Sequence, residues 1–207
     1  MVEKITNITM EIIGRFRSNY LAEYHVRELA KLMQKNHATI IPHLKALGKS
    51  NVLKFKREGK NKVYSINLDN ILAKEYIIMA EKNTTINYLN EIALIKRIFA
   101  EIGAFCRNSP LIIFGSYAQK AYTKESDIDM ILIGNVEENA IASIKKIGKI
   151  YGKSINIKTA SLQSFEKSLR SKDALISEII KNHIILQNAE IVVDALWRYY
   201  NEIRQRS

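Results

Sequence analysis

The 207-residue sequence has one cysteine (Cys106), two prolines (Pro42 and Pro110), eight glycines and a single tryptophan. One cysteine excludes an internal disulfide, and with it the stapled folds of small secreted domains. No apolar run approaches the roughly 18 to 20 residues needed to cross a bilayer, so no membrane association is expected. The opening Met-Val-Glu-Lys lacks the charged and apolar regions of a secretory signal. A cytoplasmic location is therefore expected. With so few prolines and glycines, breaks between elements must be read from Gly, Asn and Ser clusters. Neither an internal repeat nor a low-complexity linker is present.

Positive charge is abundant. The chain holds 32 Lys and Arg against 21 Asp and Glu, a formal net charge of +11. Residues 1–70 carry 13 basic against 6 acidic side chains, and the remaining 137 residues carry 19 against 15. Basic excess favours polyanionic partners through steering and counterion release; a solubility surface is the alternative at this level. At 47% hydrophobic and 26% charged, the composition is that of an ordinary globular protein, as one large domain or two small ones.

Glu3 to Phe16 has helical character. Val26, Leu29, Ala30 and Met33 follow the i, i+3, i+4, i+7 spacing of a helix face, and Gln34-Lys35-Asn36 makes a turn. Ile40, Leu44 and Leu47 fit one face of a further helix. Leu53 and Phe55, then Tyr64 and Ile66, alternate with polar residues around Glu58-Gly59-Lys60-Asn61, which predicts a β-hairpin. In this order, Val26 to Ile66 resembles the winged helix-turn-helix DNA-binding domains of small bacterial and archaeal regulators. The resemblance implies a helix in the major groove of double-stranded DNA, with Thr39, His43 and Lys45 as groove contacts. It also implies a wing whose Lys54, Lys56, Arg57, Lys60 and Lys62 meet phosphates. Pro42 departs from the pattern: a proline inside a helix removes a backbone bond, which predicts a late start or a kink and argues against base-specific readout. A winged helix used only for protein contacts is the alternative.

Asp69 to Phe105 reads as mainly helical, with Ile92, Ile95, Phe99 and Ile102 as an apolar stripe. Such a stripe is read as core, with a domain connection or dimer contact as alternatives.

The chemistry is concentrated between Leu111 and Ile133. Leu111-Ile-Ile-Phe114 is a short continuous apolar run, as expected of a buried strand, and it stops at Gly115-Ser116. Asp127-Ile-Asp-Met-Ile-Leu-Ile133 reads as a second buried strand with two acids at its start. Side chains at i and i+2 of a strand share a face, so Asp127 and Asp129 converge. Two such carboxylates repel unless a cation joins them, and Mg²⁺ suits an all-oxygen site shared with phosphates. Gly115 allows close backbone approach. Ser116, at the start of a helix, offers a hydroxyl and free N–H groups to phosphate oxygens. Paired acids beside a phosphate site make a phosphoryl-transfer apparatus.

An apolar strand, Gly-Ser, a short helix, then Asp-x-Asp opening a second strand resembles the nucleotidyltransferase superfamily that includes DNA polymerase β and the antibiotic nucleotidyltransferases. The compact size is similar to the minimal prokaryotic members. The resemblance implies that Gly115 and Ser116, with Ser126, bind a nucleoside triphosphate, ATP by family habit. It further implies that Asp127 and Asp129 coordinate Mg²⁺ (or Mn²⁺) and align an acceptor hydroxyl for attack on the α-phosphorus. Lys120 stands where the family often has glycine, and either clashes or contacts phosphate. Active members carry a third carboxylate on a later strand; here the matching stretch is Lys153-Ser-Ile-Asn-Ile-Lys158, with Asn156 at that place. An amide can ligate a metal through oxygen but supplies neither a base nor a third charge.

His25, His37, His43 and His183 lack zinc-site spacing, and Cys106 has no partner. Phe165 to Lys181 reads as helix and His183 to Leu186 as a short strand. Val192, Val193, Leu196, Trp197 and Tyr200 form an amphipathic face, for core packing or for a dimer or partner helix. The expected protein is α/β (α+β): a winged helix at 1–68, a helical connection at 69–89, and a small mixed-sheet nucleotidyltransferase domain with flanking helices at 90–207. Three functions stay open: Mg²⁺-dependent nucleotidyl transfer by a DNA-binding enzyme, a DNA-binding regulator that only senses nucleotide, and an antitoxin-like partner of a helical protein.

Overall fold

A computed structural model describes residues 5–135 and 137–206. The chain divides into two compact units, one formed by Met1–Asn83 with Leu196–Ser207 and the other by Thr84–Ala195.

The first unit opens with α1 (Asn7–Gly14), whose cap Thr6 accepts from the Thr9 backbone N–H. Glu3, where the sequence predicts this helix to begin, lies outside the described residues. A short strand β1 (Glu23–His25) leads into α2 (Val26–Leu32) and α3 (His37–Lys49). The Asn36 side chain caps α3 by accepting from Ala38 N–H at 3.0 Å. The stripe Ile40, Leu44 and Leu47 is fully buried, together with Ile12, Ile13, Phe16 and Leu29. Pro42 lies inside α3, which runs unbroken from His37 to Lys49. The expected late start is thus not found: the proline is exposed on the outer side, where its missing N–H leaves the buried stripe intact.

The hairpin is β2 (Leu53–Glu58) and β3 (Asn61–Ile66), with Glu58 opposite Asn61. Its two-residue loop begins at Gly59 with φ +60°, as in a type II′ turn, where glycine holds the first central place. β1 pairs antiparallel with the other side of β3, giving the order β1-β3-β2. Three residues are too few to show alternation, so β1 escaped the sequence. The helix α4 (Ile71–Glu91) follows. Within this unit the buried Glu81 carboxylate pairs with Arg17 at 2.5 Å, and Tyr200 OH donates to Ser18 C=O at 3.1 Å.

In the second unit, α5 (Ala93–Ile102) is separated from α4 at Ile92, whose backbone is non-helical (φ −111°, ψ 83°). The buried stripe runs Ile95, Ile98 and Ile102, with Phe99 only partly buried. Ile98 therefore takes the place expected of Phe99. After a 3-10 turn come β4 (Leu111–Phe114), the short helix α6 (Gly115–Ala118), β5 (Ile128–Ile133), α7 (Glu138–Ile150) and β6 (Ile155–Ala160). The expected helix at 165–181 is two, α8 (Leu162–Arg170) and α9 (Ala174–Lys181), parted where Lys172 adopts φ +53° and Asp173 caps α9. The strand β7 (Ile184–Gln187) and the helix α10 (Ala189–Arg206) complete the chain.

The second sheet has the order β6-β5-β4-β7. β4 is antiparallel to β5 and β7, while β5 and β6 are parallel, so the sheet is mixed and the protein is α+β. One face, with Leu111, Ile113, Ile128, Met130, Leu132 and Ile155, packs on Ile95, Ile98, Ile102 and Ile144. Alternation sends Asp129, Ile131 and Ile133 to the other face. The parallel pair brings the starts of β5 and β6 to the same end of the sheet. The candidate site lies there.

Candidate active site

β4 carries the chain to Gly115, which has φ +67°. A Cβ at this position would stand 2.8 Å from Asp129 Oδ2. Glycine is thus demanded twice, by the left-handed backbone and by the carboxylate against it. Phe114 is the antiparallel partner of Asp129, and this register brings the two together. Ser116 follows, half-buried.

Two residues past the short helix, Lys120 has φ +57°. A left-handed residue there explains the family's glycine, and a lysine accepts a backbone cost of roughly 1 kcal/mol. Its ammonium forms an exposed ion pair with Glu91, so the structure gives it a carboxylate partner. The loop beyond is held by Ser126, whose hydroxyl accepts from Thr123 N–H at 2.8 Å. The Tyr117 and Tyr122 rings stack at 4.2 Å, and the buried Tyr88 hydroxyl donates to Tyr117 C=O at 3.2 Å.

Asp127 is exposed and Asp129 half-buried. Asn156 is opposite Asp129 in the parallel register. Its Nδ2 donates to Asp129 Oδ1 at 3.2 Å and to Asp127 Oδ2 at 3.3 Å. Both acids therefore converge on one amide, as i, i+2 spacing implies. Among the described residues no group of three His, Cys, Asp or Glu side chains converges.

Sequence reasoning passed over Lys153. Its ammonium donates to the carbonyls of Lys124 at 2.5 Å and Ser126 at 3.3 Å, tying down the loop that leads into Asp127. Ile128 N–H donates to Ser154 C=O at 2.9 Å and continues the tie. Long-range backbone contacts of this kind leave no local signature. Cys106 is buried, and burial pushes its thiol up to about 11, which leaves it unreactive at neutral pH.

In the first unit, Thr39 and Lys45 are exposed on α3. His43 is not part of that outward set: its Nδ1 lies 3.3 Å from the Thr6 hydroxyl and 3.4 Å from that of Thr9, against α1. At three residues from Ile40, it falls on the flank of the buried stripe. On the hairpin, Lys54 pairs with Asp69 at 2.6 Å, and Lys56 with Glu23 at 2.6 Å and Glu58 at 3.3 Å. Lys62 lies over the Phe55 ring at 3.9 Å. Arg57 and Lys60 are exposed, without an ion-pair partner among the described residues.

Residues 92–186 match the family profile described as "Nucleotidyltransferase domain". A protein of Methanocaldococcus jannaschii, provisionally named a protein adenylyltransferase, is 38% identical over 64 residues. That stretch is 30% of this chain and 64% of the relative, so less than two thirds of the relative's length is spanned. Both matches support the nucleotidyltransferase superfamily, the family profile over residues 92–186. No helix among the described residues is long and apolar enough to cross a membrane.

Proposed function

We propose that the second unit transfers a nucleoside monophosphate from a nucleoside triphosphate, ATP by preference, to an acceptor hydroxyl. The observation that carries this reading is the convergence of Gly115, Asp127, Asp129 and Asn156 at one end of the sheet, within the residues that match the family. The name of the relative favours a hydroxyl of a protein as acceptor.

The donor set suits a hard divalent cation such as Mg²⁺ or Mn²⁺. Asp127 and Asp129 supply carboxylate oxygens, and the Asn156 amide, turned over, presents its oxygen in place of its nitrogen. When bound, such an ion neutralises charge on the phosphates and favours ionisation of the attacking hydroxyl. The Gly115-Ser116 turn, free of a Cβ at its first residue, admits the phosphates, and the Ser116 hydroxyl donates to them. Asp127 and Asp129 orient the acceptor. Its oxygen bonds to the α-phosphorus, the bond from that phosphorus to the bridging oxygen breaks, and pyrophosphate leaves with the electron pair. The hydroxyl proton passes to water. Lys153 holds the Lys124–Ser126 carbonyls and so fixes Asp127.

For the first unit, the reading is a winged helix-turn-helix on double-stranded DNA, with Thr39 and Lys45 on the groove helix and Arg57 and Lys60 on the wing. Ion pairs at Lys54 and Lys56 reduce the charge those residues can offer. Affinity should fall steeply with salt. Unchanged DNA affinity in Arg57→Glu, Lys60→Glu would remove the wing from that role.

A second reading, nucleotide binding without transfer, is favoured by Asn156, a neutral donor where active members carry an acid. One experiment separates the two: incubation of the chain with α-labelled ATP, Mg²⁺ and cell-extract protein, beside Asp127→Ala, Asp129→Ala. Label on protein with the parent only supports transfer. No label, with Mg²⁺-dependent ATP binding intact, supports the sensor. ATP binding unaffected by the double substitution would overturn both.

A further inference from the structure

The carboxylate pair has different neighbours on its two sides. Toward β4 it meets Gly115, and toward β6 it meets Asn156. Beyond Asn156 a groove of about 410 Å³ is lined by Lys145 and Lys149 from the last part of α7, and by Lys153 and Ser154. Lys145 and Lys149 are exposed and have no ion-pair partner among the described residues. The Lys153 charge marks the inner end, beside the loop entering Asp127. β6 is at the edge of its sheet, and among the described residues no strand pairs with its outer side.

We propose that this groove receives an acidic segment of the acceptor protein, carrying negative side chains beside the hydroxyl that accepts the nucleotide. The inference rests on the nucleotidyl-transfer reading and adds the acceptor's chemistry to it. In-line displacement sets the attacking oxygen opposite the leaving pyrophosphate. With the phosphates on the Gly115-Ser116 side, the acceptor enters from the Asn156 side. There it meets the exposed Lys145 and Lys149 ammonium groups, with the Lys153 charge bound to the neighbouring loop carbonyls, a field that draws in acidic segments and repels basic ones. The favourable position of a lysine at a helix C-terminus accounts for Lys149 but not for Lys153, which lies beyond the helix. A peptide fits better than single-stranded nucleic acid on two counts. Among the described residues no aromatic ring lines the groove to stack on bases. The free edge of β6 offers backbone N–H and C=O groups to an extended chain.

The test uses the full chain and fluorescence anisotropy. Its probes are a labelled Glu-rich peptide with one tyrosine and one serine, the same peptide with Lys for Glu, and a labelled oligothymidylate. The proteins are the parent, Lys145→Glu with Lys149→Glu, and the milder Lys145→Gln with Lys149→Gln. The acidic peptide should bind the parent, at least tenfold more weakly the Glu variant and severalfold more weakly the Gln variant, while the lysine peptide does not bind. Calorimetry with a non-hydrolysable ATP analogue and Mg²⁺ should give the same affinity for all three proteins. Equal peptide affinity in parent and both variants overturns the proposal. So does loss of oligothymidylate binding alone, which assigns the groove to nucleic acid. A parallel loss of analogue affinity assigns it to the donor's phosphates instead, with the same result. The transfer reading is checked separately in Asp127→Ala, Asp129→Ala, whose groove lysines are intact: it fails if analogue affinity stays at the parent's value.

Discussion

Asn156 stands opposite Asp129 where β6 runs parallel to β5, and its amide donates to that carboxylate at 3.2 Å while also reaching Asp127. A neutral donor therefore holds two anions together. Asn156→Asp replaces this donor with a third negative charge. Without a cation the variant should lose about 1 kcal/mol, given the exposure of the group, or roughly 2–4 °C in Tm. Mg²⁺ should restore it, and Mg²⁺-dependent label transfer should rise at least tenfold. Thermal unfolding with and without MgCl₂ checks the first part. An equal drop under both conditions would mean that the carboxylates do not share a cation.

Gly115 and Gly59 make a matched pair. Both have left-handed φ, +67° and +60°, but a Cβ at Gly59 meets nothing within 4 Å, whereas one at Gly115 meets Asp129 Oδ2 at 2.8 Å. Gly59→Ala should cost only the backbone term, about 1 kcal/mol. Gly115→Ala should cost that and also push Asp129 out of line, so that Mg²⁺-dependent ATP affinity falls at least tenfold. Chemical denaturation and calorimetry on the two variants decide it. Similar ATP affinity in both would show that the contact with Asp129 does not matter.

Much of the second unit was legible because its signals are local. Leu111–Phe114 and Asp127–Ile133 are continuous apolar runs punctuated by Gly-Ser and Asp-x-Asp, and both became strands. Asn156 was found because the resemblance to the superfamily implies a carboxylate on a later strand, matched here to Lys153–Lys158. The lysines around it were not, since a groove built from a helix end, a loop and a strand has no spacing of its own. The same limit applied to His43. Three residues after Ile40 and four before Leu47, it sits on the flank of the buried stripe, but its partners Thr6 and Thr9 lie at the start of α1, more than thirty residues earlier. The ion pairs of Lys54 and Lys56 with Asp69 and Glu23 likewise join residues far apart in sequence.

The Arg17–Glu81 pair is largely buried: the Glu81 side chain is inaccessible and that of Arg17 is 14% exposed. Removing one member of a buried ion pair typically costs about 3–5 kcal/mol. Glu81→Ala should lower the urea midpoint accordingly. Arg17→Met with Glu81→Met should recover most of the loss, because two apolar side chains of similar size need no desolvation. A double variant no more stable than Glu81→Ala would mean that the polar pair itself, and not the desolvation of its charges, governs stability here.

Asp69 couples the hairpin strand β2 to the C-terminal part of α10 within the first unit. Arg204 donates to one carboxylate oxygen at 2.5 Å and Lys54 to the other at 2.6 Å. These two cations, Arg204 first, hold the Asp69 carboxyl down to about 2 from its ordinary 3.8. A carboxyl with a depressed folded value binds its proton more tightly in the unfolded chain, so stability rises with pH across the interval between the two values. The contribution is complete above the ordinary value and is lost as pH falls from about 4 toward 2. Parent and Asp69→Asn should therefore differ in Tm at neutral pH and converge near pH 2. In the parent, the Asp69 carboxyl carbon followed by NMR should titrate near 2, and in Arg204→Gln it should move back toward the ordinary carboxylate range. A parent midpoint already at the ordinary value would mean that neither ion pair persists in solution, and that Asp69 does not tie β2 to α10.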